Sequence, residues 1–127
     1  MTQTGAIIDF IDDLLGEPSP LIPEDPYLKA EMRRIQWIVA ADTQPYQNIP
    51  FIIQAMGEWG MKKAQPIKHP LRKHFINREF SAIEEILKNV SGKYCVGDNV
   101  SYADCFLIPQ IRNALASDIP LEKDFPN

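Results

Sequence analysis

Ser101-Tyr-Ala-Asp-Cys-Phe-Leu-Ile-Pro-Gln-Ile-Arg-Asn113 is the stretch whose pattern sets the architecture. Its first four residues have the form of an N-terminal capping box, with Asp104 in place of the usual Glu. The Ser101 hydroxyl accepts from the Asp104 N–H, and the Asp104 carboxylate reaches back to the N–H of Ser101. The residues that follow, Cys105 to Ile111, are almost all apolar. A helix that is apolar all round is expected to be central and buried. Pro109 lies inside it and predicts a kink. Such a helix needs other amphipathic helices to cover it.

The flanking sequence supplies them. Phe75/Ile76, Phe80, Ile83, Leu87 and Val90 fall at helical spacing, with Arg78, Glu79, Glu84, Glu85 and Lys88 assigned to the outer face and Gly92 to the C-terminal cap. Asp25-Pro26 is a strong helix start, a capping carboxylate followed by a proline whose missing N–H costs nothing there. Leu28, Met32, Ile35 and Val39 carry that helix to about Asp42. Pro45 and Pro50 then bend one long helix or divide two, and Phe51, Ile52, Ala55 and Met56 mark its resumption. Gly57 to Pro70 reads as a mobile, locally basic loop. At the start of the chain, Ile7, Ile8, Ile11, Leu14 and Leu15 form an apolar face opposite a wet acidic one of Asp9, Asp12 and Asp13, with Thr4 as cap and Gly16 as stop. Glu17 to Asp25 holds three prolines in nine residues and predicts an extended linker. After Leu115 the pattern fades and no closing helix is expected. Four or five helices and no strand pair give an all-α bundle.

Composition narrows the function classes. A chain of 127 residues suits one domain. Its 45% hydrophobic and 24% charged residues are ordinary for a globular protein. The net charge is 13 − 17 = −4, without the basic footprint of a nucleic-acid binder. No apolar run approaches the ~20 residues that span a bilayer, and Met1-Thr-Gln-Thr4 does not open a secretory signal. Cys95 and Cys105, ten apart, are neither a CxxC pair nor a disulfide framework, so a reducing, cytoplasmic setting is expected. His69 and His74, five apart, lack the i, i+4 spacing of a metal pair, and no metal site is expected. Both cysteines read as inert core. On these grounds alone the chain reads as a soluble helical domain and nothing more specific.

Four segments go further. Met1-Thr-Gln-Thr-Gly-Ala-Ile-Ile-Asp-Phe-Ile11 is similar to "(E/Q)S-x-A-I-I-x-Y-L". Leu21-Ile-Pro-Glu-Asp-Pro-Tyr-Leu-Lys-Ala30 is close to "LLPxDPxxRA". Gln44-Pro-Tyr-Gln-Asn48 is close to "QPLQN". Gly92 to Asn113 resembles "GKYCVGDEVTxADCCLVPQVxNA". Together they make the chain resemble a zeta-class glutathione transferase, the maleylacetoacetate isomerase family. The capping box Ser101/Asp104 supports only the wider superfamily; the third and fourth segments are more specific.

That resemblance implies a helical bundle of the glutathione transferase C-terminal type, with the thioredoxin-like domain largely missing. Residues 1–16 correspond to that domain's last helix, 17–25 to a linker, and 26–127 to the helical domain, truncated at its end. It implies glutathione as the working thiol, a small electrophilic substrate, a homodimer in full-length form, and cis–trans isomerisation of maleylacetoacetate to fumarylacetoacetate in phenylalanine and tyrosine breakdown. The family's thiol-activating "SSCxWRVR" segment is absent, so this chain is expected to be inactive alone. Gln3 and Thr4 match the pair that holds the γ-glutamyl end, and Gln44 and Asn48 match positions lining the active site. Ala116 stands near the position of a family Arg thought to meet the substrate carboxylate, Arg112 is expected to point elsewhere on the helix, and Pro50 replaces a usual Ser. The alternative is a non-catalytic interaction module of the same fold.

Overall fold

The computed structural model describes residues 2–16, 18–58 and 68–127. They form helices α1 (Thr4–Leu15), α2 (Pro26–Trp37), a π-helical stretch (Ile38–Thr43), α3 (Gln44–Gln47), α4 (Ile49–Glu58), α5 (Pro70–Val90), α6 (Tyr102–Ala116) and α7 (Leu121–Asp124). The fold is all-α; among the described residues β pairing is limited to an isolated bridge between Ser91 and Gly97. The core lies between α2, α5 and α6 and is built from Met32, Ile35, Val39, Ile76, Phe80, Ile83, Leu87, Phe106 and Leu107. The loop expected at Gly57 to Pro70 lies mostly outside the described residues, and α4 extends to Glu58.

α2 starts as its sequence dictates: Asp25 Oδ1 accepts from the Leu28 N–H at 2.8 Å, and Pro26 opens the helix. Its helical path does reach Asp42, but after Trp37 the winding widens. The Gln44 N–H reaches back five residues to the Val39 carbonyl, and the buried Thr43 hydroxyl donates to the Ile38 carbonyl at 3.0 Å. The cause is Pro45, which has no N–H to give and whose ring crowds the carbonyl four residues earlier. A wide turn relieves that clash without breaking the helix. Asn48 then leaves helical geometry at ψ 135°, and Pro50 sits in the opening turn of α4.

α6 is capped as read. Asp104 Oδ2 accepts from the Ser101 N–H at 2.8 Å and from its hydroxyl at 2.9 Å, and Oδ1 accepts from the Cys95 N–H at 3.0 Å. The helix runs unbroken through Pro109. It is only half as central as expected: Tyr102, Ala103, Phe106, Leu107 and Ala114 are buried, whereas Ile108, Ile111 and Leu115 form an exposed stripe. A one-turn α7 follows where no closing helix was expected.

Other expectations need correction. α1 begins at Thr4, but Thr4 does not cap it; Gln3 is the cap residue, at φ 73°, and gives no side-chain bond. Asp12 belongs to no wet face: it is buried at the Tyr102 hydroxyl, while Asp9 and Asp13 are exposed. Glu79 and Glu84, assigned to the outer face of α5, are buried; Glu79 pairs with Arg78, and Glu84 accepts from Asn127. The cap of α5 is Ser91 rather than Gly92. Gly92 is required for a different reason. A Cβ there would stand 2.8 Å from the Gly97 carbonyl oxygen, across the turn that carries Cys95 to Asp104.

Candidate functional site

The short helix α3 carries two of the candidate residues. Gln44 and Asn48 stand at its two ends, with the Asn48 N–H donating to the Gln44 carbonyl at 3.2 Å. Gln44 is half-buried and Asn48 exposed, and neither side-chain amide has a hydrogen bond among the described residues. The residue between them behaves differently. The Gln47 side chain is buried and donates to Gln110 Oε1 on α6, which also accepts from Asn113 Nδ2 at 3.2 Å. The backbone carbonyl of Gln47 accepts from Arg72 Nε at 3.1 Å. Arg72 Nη1 donates to the Ser117 hydroxyl at 2.7 Å, and that hydroxyl donates to the Asn113 carbonyl at 2.9 Å. A polar spine thus crosses α3, α5 and α6 behind the break. Tyr46 adds an outer clamp, stacked on Phe75 of α5 with ring centroids 4.3 Å apart.

Arg72 and His69 carry roles that the sequence reading did not assign. Arg72 is 5% exposed, and burial lowers its pKa. Its signal was present in the periodicity: 72, 76, 80, 83, 87 and 90 form one stripe, so the buried face of α5 extends one turn earlier than its apolar residues. His69 is the cap residue of α5, its Nδ1 accepting from the Leu71 N–H at 3.2 Å. That bond requires an unprotonated Nδ1.

Gln3 and Thr4 lie elsewhere, at the start of α1. Gly5 sits over α2 and α6, close enough that a Cβ would touch Gln36 at 3.8 Å and Phe106 at 3.9 Å. Because Gln3 gives no side-chain cap, the first-turn N–H groups of α1 are open to an external acceptor. No hydrogen bond joins Gln3 or Thr4 to Gln44 or Asn48. Ala116 ends α6 and is exposed. Arg112 is exposed four residues earlier in the same helix, so the two share a face and Arg112 does not point elsewhere as expected. The thiols are unsuited to nucleophilic work. Burial, then the bond to Asp104, pushes Cys95 up to about 12, and burial pushes Cys105 up as well.

Residues 49–127 match the family model for the glutathione S-transferase C-terminal domain. The chain belongs to the glutathione S-transferase C-terminal domain family. The chain is 38% identical to maleylacetoacetate isomerase of Mus musculus, over 90% of this chain and 49% of that protein. It is 36% identical to probable maleylacetoacetate isomerase 2 of Drosophila melanogaster, over 90% of this chain and 46% of that one. The chain spans about half the length of the curated relatives it matches. Among solved structures, maleylacetoacetate isomerase from Anaeromyxobacter dehalogenans, with glutathione bound in its active site, superposes with a TM-score of 0.85 at 28% identity, covering 99% of this chain and 55% of that one. A glutathione S-transferase from Legionella pneumophila gives a TM-score of 0.85 at 30% identity, covering 99% and 65%. No described helix is long and apolar enough to cross a membrane.

Proposed function

We propose that this chain is the substrate-side helical domain of a glutathione-dependent isomerase or transferase, acting on maleylacetoacetate or a small electrophile like it. The observation that carries the reading is the contrast within one turn of helix: Gln47 is fixed by α5 and α6, while the Gln44 and Asn48 amides on either side have no partner among the described residues. Idle amides on a clamped turn suit a ligand that brings its own carboxylates and peptide groups. The uncapped start of α1, where Gln3 and Thr4 stand, suits a carboxylate, which fits the γ-glutamyl end of glutathione. Bound glutathione supplies the thiolate that adds reversibly to the cis double bond and lets it rotate. The protein's own contribution here is to bind and orient. Thiol activation is assigned to none of these residues. Arg112, exposed one turn before Ala116, is the cation available to a substrate carboxylate on that face.

Residues 1–16 serve as the last helix of a thioredoxin-like domain, 17–25 as the linker, and 26–127 as the helical domain, working as a homodimer in the cytoplasm within aromatic amino-acid breakdown. The exposed apolar face of α1 also favours a second reading, a non-catalytic interaction module. Joined to a thioredoxin-like domain bearing a Ser-Ser-Cys segment, the chain is expected to isomerise maleylacetone only with glutathione present, and to do nothing alone. A folded chimera without glutathione-dependent turnover would overturn the enzyme reading and leave the interaction module.

A further inference from the structure

We infer that Arg72 is a positioning residue: its guanidinium holds the Gln47 carbonyl and so fixes where the Gln44 and Asn48 amides stand. The Gln47 carbonyl and the Asn48 N–H belong to one rigid planar unit. Gripping that oxygen at 3.1 Å fixes the plane from which Asn48 departs at ψ 135°. The chain changes direction at this residue, so a small rotation of the plane swings the Asn48 amide while Gln44, one turn back, is held to the same plane through the Asn48 N–H.

The shape of the cation matters as much as its charge. Nε and Nη1 lie in one plane and reach two helices, Nε to Gln47 on α3 and Nη1 to Ser117 at the end of α6. Ser117 is itself tied to Asn113, whose side chain donates to the Gln110 oxygen that Gln47 also donates to. The fork therefore closes a loop of polar contacts from α3 through α5 and α6 back to α3. A lysine ammonium has the charge but no rigid fork. Burying a guanidinium is also costly. The neighbouring positions on the same stripe, Ile76 and Phe80, meet the need for packing with apolar side chains. An arginine at this depth secures direction rather than volume.

The inference rests on the proposed function only in taking α3 as the glutathione side; the geometry it concerns is measurable without glutathione. The test uses the 127-residue chain labelled with nitrogen-15 and reads the side-chain amide signals of Gln44 and Asn48. Arg72→Met is expected to move both signals by more than a linewidth and to broaden that of Asn48. Ile83→Val, which loosens the same helix in its apolar part, is expected to lower the unfolding temperature while leaving both signals in place. Signals unmoved in Arg72→Met, or moved as far by Ile83→Val, would overturn the assignment. If Arg72→Met does not fold, Arg72→Lys replaces it, with smaller displacements of the same sign expected; unmoved signals there overturn the assignment equally. Because the sample contains no glutathione, a positive result stands even if the chimera above proves inactive.

Discussion

Three donors converge on the carboxylate of Asp104: the N–H and the hydroxyl of Ser101, and the N–H of Cys95. Burial pushes this carboxyl up, but the N–H bonds from Cys95 and Ser101 and the side-chain contacts outweigh it and hold the group below the usual carboxylate range. A depressed carboxylate stabilises the fold at every pH above its unfolded value, about 3.9, and that contribution is lost as pH falls through the lower folded value. Cys95 works in the opposite direction. Its folded thiol titrates at about 12, against about 8.5 unfolded. Its contribution is complete below about pH 8.5 and erodes above it, by up to about 1.4 kcal/mol per pH unit, because the unfolded thiol releases its proton first. Tyr102, pushed up by burial and then by Asp12, adds to the same alkaline loss. Urea unfolding across pH is therefore expected to show a plateau bounded by an acid and an alkaline fall. Asp104→Asn should lower the plateau by about 1–3 kcal/mol and flatten the acid fall, since a buried acceptor of several bonds is lost. An acid limb unchanged in Asp104→Asn would show that other carboxylates govern it.

At the scale of elements, the turn from Ser91 to Val100 shows how one helix end seats the start of the next. The Gly97 N–H donates to the Val90 carbonyl at 2.8 Å, the Tyr94 N–H to the Gly97 carbonyl at 3.0 Å, and Cys95 then presents its N–H to Asp104. Gly92 lies where the two arms of this turn touch. Gly92→Ala forces the methyl against the Gly97 backbone as well as the Asp98 side chain; the side chain can yield but the backbone cannot, so the turn must open. The expected cost is about 1–3 kcal/mol, with the Cys95 amide losing protection from hydrogen exchange before the centre of α5 does. Retention of that protection would mean the turn absorbs the methyl elsewhere. This region was half legible in the sequence. Ser101 and Asp104 announce a cap because capping is local chemistry. Gly92 was legible as a glycine with a purpose, but its purpose depends on Gly97 folding back against it. The same limit separates Gln44 and Asn48 from Arg72. The first two stand inside a short motif broken by proline, whereas the role of Arg72 depends on a carbonyl 25 residues away. Glu79, Glu84 and Asp12 were misplaced for a related reason: charge type suggested solvent, and tertiary partners decided otherwise.

For the whole molecule, α1 poses the main question of balance. One side of it is committed: Ile8 packs against the core, Gly5 meets Gln36 and Phe106, and Asp12 is buried at Tyr102. The other side presents Ile7, Phe10, Ile11, Leu14 and Leu15 to solvent, with Leu14 71% exposed. A contiguous apolar face of this kind is uncommon on a monomer and marks a surface made to be covered. Within this chain the face is largely uncovered, so polar replacements at its most exposed positions are expected to be nearly neutral, within about ±0.5 kcal/mol. The double substitution Phe10→Lys with Leu14→Lys should leave the unfolding temperature in place while abolishing self-association. Sedimentation over a wide concentration range separates the two effects. The unaltered chain is expected to gain mass with concentration and the double variant to remain monomeric. If both remain monomeric, the face is inert in this chain alone. If the double variant unfolds at a markedly lower temperature, Phe10 and Leu14 support the fold directly, and α1 is more deeply integrated than its exposed side chains indicate.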